Sequence, residues 1–187
     1  MSKFSNFERR KHDEYLTPLR AALPLKAHLT GVRTFMEPCS GDGRLIRHIE
    51  SFGPLCIYEN DIQKGVDALT DTVLSRTIAD AIITNPPYTW QILEQMIQLF
   101  PKIAPTWLLL EADFKHTVQA ATYMEMCSDV VSIGRVRWFE DTDAEGKINY
   151  AWYRFHAQHT RGPVFHPRQS FPPAPRVKKT KTAVEAA

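Results

Sequence analysis

Two short stretches of this sequence carry residues whose types and spacing can do chemistry. The first is Asn85-Pro86-Pro87-Tyr88, which follows the apolar run Asp80-Ala81-Ile82-Ile83-Thr84. Two prolines stiffen the chain as it leaves a buried strand. They donate no hydrogen bonds, but their carbonyls still accept them. An asparagine side-chain carbonyl beside such a carbonyl makes a pair of acceptors for an amino group, and the tyrosine offers a flat face to a base. The constellation suits an exocyclic amine held for attack on an electrophile. A lone NPPY is also what a proline-rich loop looks like. Its place at the carboxyl end of a strand, where open α/β sheets bind ligands, favours the chemical reading.

The second stretch is Glu37-Pro38-Cys39-Ser40-Gly41-Asp42-Gly43, after the apolar Thr34-Phe35-Met36. Glycines there let the backbone turn sharply and approach a ligand closely. Glu59 ends the next apolar run, 16 residues after Gly43. A carboxylate in that place can accept both hydroxyls of a ribose. The pattern is not GxGxxG, and no Lys-Ser/Thr pair follows as in a phosphate-binding loop. Glu37 and Asp42 would repel a pyrophosphate. A ligand with an amino group and a ribose but no phosphate fits better, and S-adenosylmethionine is such a ligand.

These residues need a scaffold, and the hydrophobic pattern supplies one. Short apolar runs at 34–36, 55–58, 81–84 and 107–110 read as strands. Leu45 to Phe52 and Ile92 to Phe100 have helical spacing, and Thr117 to Met126 can form a helix. Val130 to Phe139 and Asn149 to Phe155 are β-rich, with a loop at Asp141 to Gly146 between them. Alternating strands and helices predict an α/β fold, a mostly parallel sheet with helices on both faces and a C-terminal antiparallel hairpin.

With 187 residues, 43% hydrophobic and 24% charged, the chain suits one compact domain. No apolar run approaches a membrane span, and the polar N-terminus has no secretory h-region. Cys39, Cys56 and Cys127 lie far apart, which argues against a disulfide scaffold or a structural zinc. A cytoplasmic protein without metal is expected, with Cys39 a packing residue and His156 and His159 two exposed histidines. Residues 160–187 hold five prolines and six basic residues against one acid, a net +5 that leaves −3 on the rest. The expected organisation is a domain over 1–159 and a basic, extended or disordered tail over 160–187 that can meet phosphate backbones.

Taken together, the motifs resemble the S-adenosylmethionine-dependent amino-methyltransferases, above all the DNA adenine-N6 enzymes, over roughly Asp13 to Phe155. Asp13-Glu14-Tyr15-Leu16-Thr17-Pro18 is similar to the family's N-terminal motif, which implies that Tyr15, Thr17 and Pro18 line the methionine end of the cofactor. Glu37 to Gly43 resembles the family's glycine motif in a glutamate-proline form, with Glu37, Pro38, Cys39, Gly41 and Gly43 at the cofactor. Glu59 matches the ribose-binding acid. Asp67 resembles the aspartate that bonds the cofactor's adenine amine. Asn85, Pro86, Pro87 and Tyr88 stand as the catalytic tetrad.

The resemblance implies a Rossmann-like class I methyltransferase fold that transfers a methyl group to the N6 amine of adenine in DNA. The base would be flipped from a duplex or taken from a single strand. Tyr88 would stack on it, and Trp138, with Phe139 next, would form a second clamp. Only seven residues separate Glu59 from Asp67, so the second helix and third strand must be trimmed. About 70 residues between the tetrad and His159 leave no room for a separate recognition domain. Specificity would then come from loops, the tail, a specificity subunit or a homodimer. The small size and basic tail are similar to enzymes of phages and mobile elements. RNA adenine, a protein glutamine amide, or a non-catalytic cofactor-binding subunit are the alternative readings.

Overall fold

A computed structural model describes residues 16–138 and 146–171. Among these residues seven strands form one sheet: β1 (Thr34–Glu37), β2 (Leu55–Glu59), β3 (Ala81–Thr84), β4 (Thr106–Glu111), β5 (Cys127–Arg135), β6 (Asn149–Phe155) and β7 (Val164–His166). The helices are α1 (Leu19–Ala22), α2 (Arg44–Glu50), α3 (Thr72–Arg76), α4 (Trp90–Ile103) and α5 (Val118–Ala121), with 3-10 turns between. The strand order is β2-β1-β3-β4-β6-β5-β7. β1 to β4 run parallel, β6 runs antiparallel between β4 and β5, and β7 lies parallel to β5.

This is the expected α/β sheet with its antiparallel β5–β6 hairpin. The expected trimming is also present: only a 3-10 turn at Ile62–Lys64 and the five-residue α3 separate β2 from β3. The shortened crossover leaves β2 as an edge strand with Leu55 and Ile57 exposed. Side chains cover part of that edge. Glu50 Oε1 accepts from the Cys56 amide at 3.2 Å, and the Cys56 thiol donates to the Tyr58 carbonyl at 3.2 Å. Such local capping blunts an edge that would otherwise pair with another chain.

The core follows from the pattern. β1, β3 and β4 are central, and Phe35, Met36, Ile82, Ile83, Leu108 and Leu109 are fully buried. On α4, Leu93, Met96, Ile97 and Phe100 form the buried stripe at i, i+3, i+4 and i+7. Pro101, which cannot continue the helical hydrogen bonds, precedes the helix end by two residues. Trp152 on β6 is buried and donates its indole N–H to Ala21 O at 2.8 Å, tying α1 to the sheet.

One expectation needs correction. The sheet does not end at His159, because β7 falls inside the stretch expected to be an extended tail. The reason is polar and long-range. His166 Nε2 lies 2.9 Å from Asp129 Oδ1 on β5, and the His28 ring meets His166 edge-on at 4.3 Å. A Cβ on Gly134 would fall 2.8 Å from the Arg168 guanidinium carbon, so this chain segment packs directly on β5. Arg20 donates to Phe171 O at 3.1 Å. The stretch 160–171 is therefore docked, and residues 172–187 lie outside the described part.

Candidate functional site

Parallel strands β1 to β4 end at one edge of the sheet, and both motifs stand there. After β1 the chain turns at once. Gly41 (φ 51°) and Gly43 (φ 73°) take left-handed conformations that side chains disfavour, and Gly43 caps the start of α2. The turn is stitched to the end of β2. The Ser40 amide donates to Asn60 O at 2.8 Å, the Asn60 amide to Glu37 O at 3.1 Å, and the Gly41 amide to Asp61 Oδ2 at 2.9 Å.

Three carboxylates gather at this turn. Glu37 is buried, and its Oε1 accepts from the Cys39 amide at 3.0 Å. Burial pushes its pKa up to about 8; Thr84 pulls the other way, and Asp61 and Glu59 add to the rise. Its Oε2 and the neighbouring Thr84 Oγ1 are buried, and neither has a hydrogen bond of good geometry among the described residues, although the Thr84 hydroxyl lies near enough to lower the Glu37 pKa. Glu59 accepts from Ser40 Oγ at 2.7 Å and forms an ion pair with Lys64, whose ammonium also reaches Ser40 Oγ at 3.0 Å. Hydrogen bonds from Lys64 and Ser40 hold its pKa below the usual carboxylate value. Asp61 is buried and caps the following 3-10 turn through Gln63 N at 2.9 Å. Burial keeps Cys39 a neutral thiol.

An orphaned carboxyl oxygen within a cluster of acids is a poor host for phosphate. It is a good host for a cation that also carries hydroxyls. S-adenosylmethionine, with its ammonium, sulfonium and ribose diol, fits that set of acceptors.

The N-terminal motif comes to the same place. A Cβ on Gly41 would lie 3.8 Å from Leu16 Cδ2, so Leu16 packs over the turn, with Thr17 and Pro18 buried beside it in sequence. Tyr15 lies outside the described residues. Asp67 is exposed and bonds the Leu69 amide of its own turn at 2.9 Å. Its charge adds slightly to the rise in the Cys39 pKa.

The tetrad follows β3, the strand beside β1. Pro86 is buried, and Asn85, Pro87 and Tyr88 are half-buried. The Tyr88 hydroxyl donates to Asn85 Oδ1 at 2.8 Å. Behind Tyr88 stands Tyr150, the second residue of β6, with ring centroids 6.2 Å apart. Trp138 meets Tyr150 edge-on at 5.0 Å and belongs to the buried core. Trp138 therefore backs an aromatic wall whose nearer member is Tyr150, and Phe139 lies outside the described residues. Sequence reading missed Ser40, Asp61, Lys64, Thr84 and Tyr150. Asp61, two residues after Glu59, was the one with a local signal. Tyr150 reaches the site only through antiparallel pairing of β6 with β4.

No protein-family model and no curated protein matches the sequence. Solved structures do match in fold. A candidate class I S-adenosylmethionine-dependent methyltransferase from Listeria monocytogenes superposes with TM-score 0.56 at 9% identity, covering 86% of this chain and 68% of that one. A candidate RNA methyltransferase from Pyrococcus horikoshii gives TM-score 0.55 at 16% identity, covering 85% and 94%. The chain thus has the Rossmann-like class I methyltransferase fold.

Proposed function

We propose that this protein is an S-adenosylmethionine-dependent methyltransferase acting on the exocyclic N6 amine of adenine in DNA. The observation that carries the reading is the side-by-side arrangement of Asn85 Oδ1, at the end of β3, and the carboxylate-lined turn at the end of β1. When bound, the cofactor supplies a sulfonium methyl that is already electrophilic. The chain's own task is then orientation. Glu59 takes the ribose hydroxyls, exchanging its Lys64 and Ser40 donors for them. Glu37 offers its unpartnered oxygen to the cationic end. Tyr15, Thr17, Pro18, Pro38, Cys39 and Asp67 complete the cofactor side.

Asn85 Oδ1 and the Pro86 carbonyl accept hydrogen bonds from the two amine N–H groups, which would turn the nitrogen lone pair outward; the amine keeps both hydrogens until the methyl is bound and then gives one up as a proton to solvent. A carbonyl oxygen has two acceptor sites, so the Tyr88 hydroxyl can stay on Asn85 Oδ1 and fix its orientation while the amine binds. Tyr88 offers its ring face to the base, with Tyr150 and Trp138 behind it, and Pro87 stiffens the turn. Holding the amine in line supplies most of the acceleration in such a reaction. A base inside a duplex cannot enter this site, so the substrate is a flipped or single-stranded adenine.

Methyl transfer from labelled cofactor to DNA, RNA and protein tests the reading, with chromatography of the digested product. Label in N6-methyldeoxyadenosine supports it. Label in RNA adenine or in glutamine would assign the same site to another substrate, and no label with any acceptor would leave a cofactor-binding subunit.

A further inference from the structure

We propose a second binding site, for the phosphate group of a small phosphomonoester or of a nucleic-acid backbone, at the opposite end of the sheet from the tetrad. A concavity of about 400 Å³ lies there, lined by Ser128, Arg154, His156, Gln158 and His159. The pairing of β4 with β6 fixes its position. Tyr150 sits opposite Glu111 at the tetrad edge, whereas Phe155 sits opposite Thr106 at the far edge. Arg154 is four residues beyond Tyr150, or about 13 Å along the strand.

Among the described residues the lining holds no carboxylate, and the donors it offers are Arg154, His156 and Gln158, because the Ser128 hydroxyl already donates to Asp129. Arg154 can only donate, and its Nε is buried with no hydrogen-bond partner. Its side chain is 37% exposed, so an oxyanion in the concavity meets the exposed part of the guanidinium and not the buried Nε. His156 Nδ1 accepts from the Gln158 amide at 3.1 Å, which puts the ring proton of the neutral imidazole on Nε2 as a donor. The Gln158 side chain is exposed and carries two more donor hydrogens. His159 is engaged through Nε2 with Gly162 O at 2.8 Å and shapes the rim.

Asp129 is the nearby acid, and its oxygens are already occupied. Oδ1 faces His166 at 2.9 Å, and Oδ2 accepts from Ser128 at 2.8 Å and lies 3.6 Å from Arg154 Nη1. Asp129 therefore offsets part of the Arg154 charge without lining the cavity, which weakens the pull on an anion. A guanidinium in the lining disfavours a metal cation. Acceptor-rich oxyanions match the donors.

The test is a calorimetric titration of the full chain with inorganic phosphate and, separately, with a short single-stranded oligonucleotide. Gln158→Glu puts a carboxylate on the rim at an exposed position, and Arg154→Gln removes the charge. Saturable phosphate binding that weakens about tenfold in Gln158→Glu, with an unchanged melting temperature, supports the site. An oligonucleotide that competes with phosphate and is weakened by the same substitution identifies a backbone phosphate as the source. An oligonucleotide indifferent to that substitution identifies a phosphomonoester. No saturable phosphate binding, or equal affinity in both variants and the parent, overturns the proposal. None of these readouts depends on the reaction at the tetrad.

Discussion

Glu37 is a carboxyl that the fold buries and leaves half-satisfied, with its pKa raised to about 8. The unfolded chain loses this proton near pH 4.3. Between there and pH 8 the native state holds a proton that the unfolded state has lost, so the ligand-free protein loses stability as pH rises through that window. Glu37→Gln should be the more stable protein at pH 7, by up to about 3 kcal/mol, and the difference should close by pH 4. Thermal melts of both proteins across pH read this directly. The same carboxyl should release its proton on binding a cationic cofactor.

Glu59 is different, because Lys64 and Ser40 already satisfy it. A ribose exchanges hydrogen bonds there instead of creating them. Glu59→Ala should therefore weaken S-adenosylmethionine binding by only about 1–2 kcal/mol, and calorimetry showing no change would remove Glu59 from the ribose site. At the tetrad, Asn85→Ala should abolish methyl transfer while leaving cofactor affinity nearly intact, since Asn85 acts on the amine. Tyr88→Phe keeps the ring and loses the bond to Asn85. It should lower kcat about tenfold with little change in KM, the signature of a positioning hydroxyl. A lower KM with undiminished kcat would mean that the hydroxyl obstructs the acceptor.

Among the elements, β7 separates two truncations that look equivalent in sequence. Ending the chain at His159 removes the strand, the His166–Asp129 contact and the Arg168 packing on Gly134. Ending it at Phe171 keeps all three. The first protein should melt several degrees below the second, as expected for a loss of about 1–2 kcal/mol in a chain of this size. Identical melting temperatures would mean that β7 contributes nothing to stability. At the other edge, the short crossover before β3 exposes β2, and Glu50 and Cys56 cap part of its backbone.

For the whole molecule, the charge division drawn at Thr160 shifts once β7 joins the sheet. Residues 172–187 carry Arg176, Lys178, Lys179 and Lys181 against Glu185. If these cations meet a duplex, removing 172–187 should reduce the slope of log K against log salt by up to about 4, with the fold intact. Equal slopes for full-length and shortened protein would move DNA binding to the body.

Much of this architecture was legible because its signals are local. Strand runs, helical spacing, the glycine turn and the trimmed crossover are written in contiguous residues, and each needs only its own backbone preferences. The positions of the two motifs at the ends of β1 and β3 were legible for the same reason, as each turn follows directly on its own strand. Tertiary structure alone decided the rest. It buried Glu37 and orphaned its oxygen, laid Lys64 on Glu59, and brought Tyr150 behind Tyr88. It also fastened His166 to Asp129, 37 residues away in sequence. Those pairings depend on which strands become neighbours, and no local pattern in the chain encodes a contact between residues so far apart.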